Sequence, residues 1–183
     1  MLGLKRGTVA LYPHQMLWEE TAQKTIELLD ELLKDVAVDI QHVGSTAIQN
    51  VCAKPIIDIA VGVRSLETIK PYIPLLAQNG VIFRKEDVSG QMLFVIGDHE
   101  NEIRTHHIHV VQWDSAAWND YINFRDYLNA FPEYANEYDV LKKKLAVEYA
   151  DNRGVYTAGK HDLIDKFLKQ AHLWRLCSVK PKE

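Results

Sequence analysis

Apolar residues recur at helical spacing from His14 to about Lys34, where Leu17, Trp18, Ile26, Leu28, Leu29, Leu32 and Leu33 are interspersed with acids and lysines. The period then shortens. Residues 36–43 read as a strand that stops at Gly44, and residues 55–63 as a second, more hydrophobic strand. Ser65 is a predicted N-cap and Asn79-Gly80 a stop for the helix that follows, with Pro71 and Pro74 breaking its regularity. Residues 81–85, 92–96 and 104–112 read as three further strands, the first two joined by a hairpin link at residues 86–90. After Trp113 helices return. One is capped by Ser115 and runs to about Ala130, one starts at Pro132, and a last runs from about His161 into Leu176, before a frayed polar tail at residues 178–183.

Strands in the middle, one helix before them and several after, predict an α+β fold. A mixed β-sheet is covered by helices on one side and followed by a helical C-terminal part. No linker or repeat divides the 183 residues, so one domain is expected over 1–183. A net charge of −4 argues against an extended nucleic-acid surface but not against a local basic pocket. No window approaches a membrane span and the N-terminus lacks the pattern of a signal peptide, so a cytoplasmic protein is expected. Cys52 and Cys177 are far apart and read as reduced thiols; a homo-oligomer is left open.

Candidate chemistry begins at the end of the first strand. Gly44, Ser45 and Thr46 form a turn whose backbone N–H groups and hydroxyls suit phosphate oxygens. On the second strand Ile57, Ile59, Val61 and Val63 share one face, while Asp58 shares the other with Ala60 and Gly62, which predicts a shallow open pocket beside a carboxylate. Asp58 either helps hold a divalent metal against those phosphates or is a structural acid bonded to backbone or to Lys54.

The run HVGSTAIQNVCAKPIIDIAVGV, residues 42–63, resembles the GrpB-like family, whose usual form is close to HIGSTAVPGLAAKPIIDI. The resemblance continues in THHIHVVQ (105–112), WNDYINFRDYLNAFPE (118–133) and YTAGKHDLI (156–164), covering nearly the whole chain. It implies the nucleotidyltransferase superfamily and a sheet of that type, with Gly-Ser followed further on by Asp-apolar-Asp. By that resemblance Gly44 and Ser45 hold a nucleotide's phosphates and Asp58 ligates magnesium. Ala60 departs from the pattern, because it stands where the second carboxylate is expected and a methyl group ligates nothing. The implied function is therefore either transfer of a nucleotidyl group to an unknown acceptor or binding without transfer. In some relatives a similar domain is fused to dephospho-coenzyme A kinase, which points the second reading towards an accessory module near coenzyme A metabolism.

Alternation on the strand THHIHVVQ sets His107 and His109 on one face and His106, Ile108 and Val110 on the other. With Asp58 the first pair makes three ligands, suited to zinc or manganese more than to magnesium, or supplies a general base. A histidine-dependent metal hydrolase is the third reading. His42 is expected to be a satisfied interior histidine under the turn, and Asp98 and Glu102 are outside candidates for the missing acid. Lys54, Arg104, Arg125 and Lys160 lie in or beside the motifs and can meet phosphates; Arg125 sits at the edge of an apolar stripe, and Lys160 precedes a helix start that disfavours a structural cation. The run Lys142-Lys143-Lys144 reads as the solvated face of a helix, and the aromatic residues from Trp113 to Tyr138 mostly as packing.

Overall fold

The computed structural model describes residues 1–86 and 90–178. The hairpin link expected at 86–90 and the tail expected at 178–183 lie largely outside them. In chain order the elements are β1 (Leu4–Lys5), α1 (Met16–Leu33), β2 (Ala37–Val43), β3 (Ile57–Val63), α2 (Ile73–Gln78), β4 (Ile82–Glu86), β5 (Met92–Asp98) and β6 (Ile103–Gln112). Four helices follow: α3 (Ala116–Ala130), α4 (Pro132–Glu148), α5 (Arg153–Ala158) and α6 (His161–Ser178). Pro71 lies inside a 3-10 segment, Leu66–Tyr72, which leads into α2 and explains the broken helix. The sequence pattern did not reveal β1 or α5. Two residues and six are too short to carry a period.

The six strands form one mixed sheet in the order β2-β3-β6-β5-β4, with β1 also paired to β6. β3 and β6 run parallel at its centre and the other pairs are antiparallel. α1 turns Trp18, Ala22, Leu29 and Leu33 onto the face made by Ile57, Ile59, Val61 and Val63, joined by Ile108 and Val110 of β6. His106 faces the same way and is held there between the Thr25 hydroxyl of α1 (3.1 Å) and the Thr105 hydroxyl (2.9 Å).

The opposite face is not wholly open. Ala60 packs with Val43 and Val111 beneath Trp118 of α3, and a Cβ on Gly62 would lie 2.8 Å from Trp113 Cδ1 and 3.0 Å from Trp118. Small side chains here let a helix approach; they do not leave a gap. At the Asp58 end of that face the packing gives way to a cavity, to which α3 contributes Phe124. A second core, with Tyr127, Leu128, Tyr138 and Phe167, packs α3, α4 and α6 over Ile48 and Val51, just after the Gly44 turn. The helical part is thus seated on the loop that carries the phosphate-like motif. Among the described residues no helix is long and apolar enough to cross a membrane.

Candidate functional site

β2 ends at Gly44, whose φ of 70° and ψ of −170° fall where only glycine is at ease. A Cβ there would stand 2.5 Å from Asp58 Oδ2. The chain then makes a 3-10 turn, Ser45–Ala47. Beneath it His42 Nε2 lies 2.9 Å from the buried Thr46 hydroxyl, so His42 supports the turn as expected. Burial draws its imidazole down to about 4, which keeps it neutral.

The parallel register sets Asp58 beside His107, and Ala60 beside His109. His107 Nδ1 is 3.2 Å and His109 Nε2 3.5 Å from Asp58 Oδ1, and one ligand-capable atom from each of the three residues lies within 4.8 Å of the others. Burial pushes the Asp58 carboxyl up. Hydrogen bonds to His107 and His109 outweigh that and hold it well below the usual carboxylate range. The other nitrogen of His107, Nε2, is buried and has no partner among the described residues. One carboxylate, two imidazoles and an unsatisfied ring nitrogen fit a borderline divalent ion such as zinc or manganese.

Beside this triad lies a cavity of about 220 Å³. Gly44, Ser45, Thr46, Asp58 and His107 form one side. Tyr138 and Lys142 of α4, Tyr156 and Thr157 of α5, and Lys160 form the other, with Lys54 and Arg153 at its rim. Four cations therefore line the cavity against one carboxylate, Asp58. The Lys54 and Lys160 ammonium groups stand 5.6 and 4.6 Å from the Tyr156 ring centre, and among the described residues neither they nor Arg153 make an ion pair. Burial draws Lys160 down to about 8, and lowers Lys54 with help from Arg153. Such crowding suits an anion.

Lys142 corrects the sequence reading. It is 1 % exposed, donates to the Cys52 carbonyl and stands 4.6 Å from the Tyr138 ring centre. Burial draws it down to about 7. Ala135, Tyr138, Asp139, Lys142 and Leu145 form the buried stripe of α4, and only the next two lysines are solvated. Asp139 keeps its own partners, the Cys52 N–H (2.7 Å) and Lys143 (2.7 Å). Among the described residues Lys142 makes no ion pair, and an ammonium whose pKa burial draws down lowers the stability of the fold at pH 7, a cost that an apolar chain of similar length does not carry. Lys142→Met is therefore expected to resist urea better than the parent at pH 7 while binding phosphate compounds worse; a less stable variant would show that the Cys52 contact outweighs desolvation.

Of the remaining candidates, Arg125 does not line the cavity. Its guanidinium donates to Gln41 Oε1 and the His42 carbonyl, each at 2.9 Å, and pairs with Asp126, so it fastens α3 to the edge of β2. Asp98 and Glu102 sit at the β5–β6 turn, where Asp98 accepts from the Glu100 and Asn101 N–H groups and Glu102 pairs with Arg6. Neither replaces the acid missing at position 60. The lining residues that sequence reading passed over are Tyr138, Lys142, Arg153, Tyr156 and Thr157.

Residues 8–170 match the family described as GrpB protein. The chain belongs to the GrpB family. Glutamate-rich protein GrpB of Alkalihalophilus pseudofirmus is 38 % identical over 173 residues, covering 93 % of this chain and 99 % of that protein. The crystal structure of GrpB from Enterococcus faecalis superposes with a TM-score of 0.81 at 31 % identity, over 88 % of this chain and 96 % of the other. The Cid1 poly(U) polymerase, solved with MgATP or MgGTP, superposes with a TM-score of 0.53 at 12 % identity over 73 % of this chain and 44 % of its own. That likeness shows a shared nucleotidyltransferase-type fold for this GrpB chain, and the fold alone.

Proposed function

We propose that this GrpB-family chain binds the phosphates of a nucleotide in the Asp58 cavity together with a divalent cation, and passes the nucleotidyl group to an acceptor. The observation that carries this reading is the convergence of Asp58, His107 and His109, the first two of which line a cavity with four cations while His109 stands behind Asp58. His109 comes from the strand position beside Ala60, so β6 offers a donor where β3 lacks an acid. The three residues would hold the metal, which supplies charge neutralisation and polarises a phosphoryl oxygen. Lys142 and Lys160 face the phosphates. In the transfer an acceptor hydroxyl gives up its proton to solvent and forms a bond to the α-phosphorus as the bond to the bridging oxygen breaks, and pyrophosphate leaves with its charge met by the lysines. The likeness to a polymerase solved with MgATP supports the nucleotide. The buried Ala60 favours a second reading, a module that binds without turnover.

The test is calorimetric titration with ATP in the presence of Mn²⁺ or EDTA, with pyrophosphate release followed in parallel. Metal-dependent binding is expected. Lys142 and Lys160 are drawn down to about 7 and about 8 in the free protein, and a bound phosphate raises both. Binding then takes up protons, so affinity falls as pH rises from 7 to 9, by at most about tenfold per unit for each lysine. An affinity that is flat or rises over that range removes the lysines from the phosphate site. Saturable binding with no pyrophosphate release selects the second reading.

A further inference from the structure

The cations do not stop at the cavity. Beyond Ile56 a shallow surface notch, enclosing only about 10 Å³, shares Lys54 and Arg153 with it and adds Lys5, Arg6 and Arg104, so an anion there rests on the surface between these side chains. The elements that place them are fixed by backbone pairing, Leu4 and Lys5 of β1 lying against Arg104 and Ile103 of β6, and the Arg6 N–H donating to the Glu102 carbonyl at 2.9 Å. Among the described residues only Arg6 has a carboxylate partner, Glu102 at 3.5 Å; Lys5, Arg104 and Arg153 have none. Arg104 is half-buried, and its neighbours of the same sign include Arg153, Arg6 and Arg84. In a chain of net charge −4 this concentration is local, built, and continuous with the proposed nucleotide cavity.

We propose that the notch lined by Lys5, Arg104 and Arg153 is a second anion subsite, and that it holds the phosphate of a small phosphorylated acceptor whose hydroxyl end reaches the Asp58 cavity. This rests on the proposed function for the identity of that cavity as the donor site. A nucleotide's own phosphates already face Lys142 and Lys160, so cations past Ile56 are surplus to it. Past Arg104 the strip is interrupted by Glu102 and Asp98, which share the β5–β6 turn with Arg84 and His99. A compact ligand needs only the stretch before those carboxylates, whereas an extended polynucleotide backbone would have to pass them.

Inorganic phosphate is the probe, titrated calorimetrically into the full chain saturated with Mg²⁺ and a non-hydrolysable α,β-methylene ATP analogue. One further phosphate is expected to bind per chain. Its affinity should fall about tenfold in Arg104→Gln, the loss of one charge-assisted contact, and be partly restored in Arg104→Lys. Lys5→Gln, at an exposed position, should weaken it in the same direction, and the ATP analogue should bind every variant within twofold of the parent. The proposal is overturned if phosphate binds only by displacing the analogue, if Arg104→Gln leaves it unchanged, or if Arg104→Gln weakens both ligands alike. Should the analogue not bind at all, the nucleotide reading falls, and phosphate binding to the free chain and its loss in Arg104→Gln decide the notch on their own. A series of 5′-phosphorylated oligonucleotides completes the test. Affinity independent of length supports a small acceptor, and affinity that climbs with length replaces it with nucleic acid.

Discussion

Asp58→Ala is expected to weaken Mn²⁺ binding at least about 100-fold, more than the loss of an outer-shell partner, which costs roughly 10–100-fold. The carboxylate contributes the only negative charge among the three converging residues, and it also orients both rings, His107 from 3.2 Å and His109 from 3.5 Å. Without it two imidazoles and no carboxylate remain beside four cations, an environment that repels a metal ion. ATP binding should then lose its dependence on metal but retain a residual affinity from the lysines. Asp58→Asn is the companion variant, since it keeps the shape against Gly44. Paramagnetic resonance of free Mn²⁺ reads the affinity directly; a parent-like value in both variants would place the metal elsewhere.

Gly44→Ala should act through shape. At φ 70° and ψ −170° an alanine costs about 1–3 kcal/mol of backbone strain. Its Cβ would also meet Asp58 Oδ2 at 2.5 Å and Asp58 Cβ at 2.9 Å, so either the turn or the carboxylate must give way. A total near 3 kcal/mol corresponds to a fall in Tm of roughly 6–12 °C for a chain of this size. Thermal melting and Mn²⁺ titration are both needed. A melting point lowered with metal affinity intact would mean that the turn moved and Asp58 did not; neither changing would mean that the close approach in the structure is not maintained in solution.

Much of this site was legible in the sequence because strand alternation is local. It sets Asp58 opposite the buried Ile57 and Ile59, and it separates His107 and His109 from His106, as the structure shows. What alternation cannot supply is the register between β3 and β6, strands whose paired residues Asp58 and His107 are 49 positions apart. Lys142 was missed for another reason. The buried spacing of Ala135, Tyr138, Lys142 and Leu145 is present in the sequence, but a run of three lysines carries the charge of a solvated face and hides that period. In sequence Ala60 and Gly62 read as an open floor, whereas small residues equally mark where a neighbour comes close, here Trp118 and Trp113. Arg125 was placed correctly at the edge of its stripe; its head turns to the edge of β2 because Gln41 and the His42 carbonyl offer acceptors there.

The lid that α3 forms over Ala60 also bears on how this sequence can change over time. Position 60 is 0 % exposed and packed under Trp118, so a single substitution to aspartate would bury an acid among Val43, Val111 and an indole ring. Placing a second aspartate at position 60 therefore requires the helix contact to be dismantled first. Each step along that path costs stability before any second carboxylate can reach a metal. Trp118 thus holds in place a strand that carries one acid, and a change in metal chemistry meets less resistance at the histidines of β6.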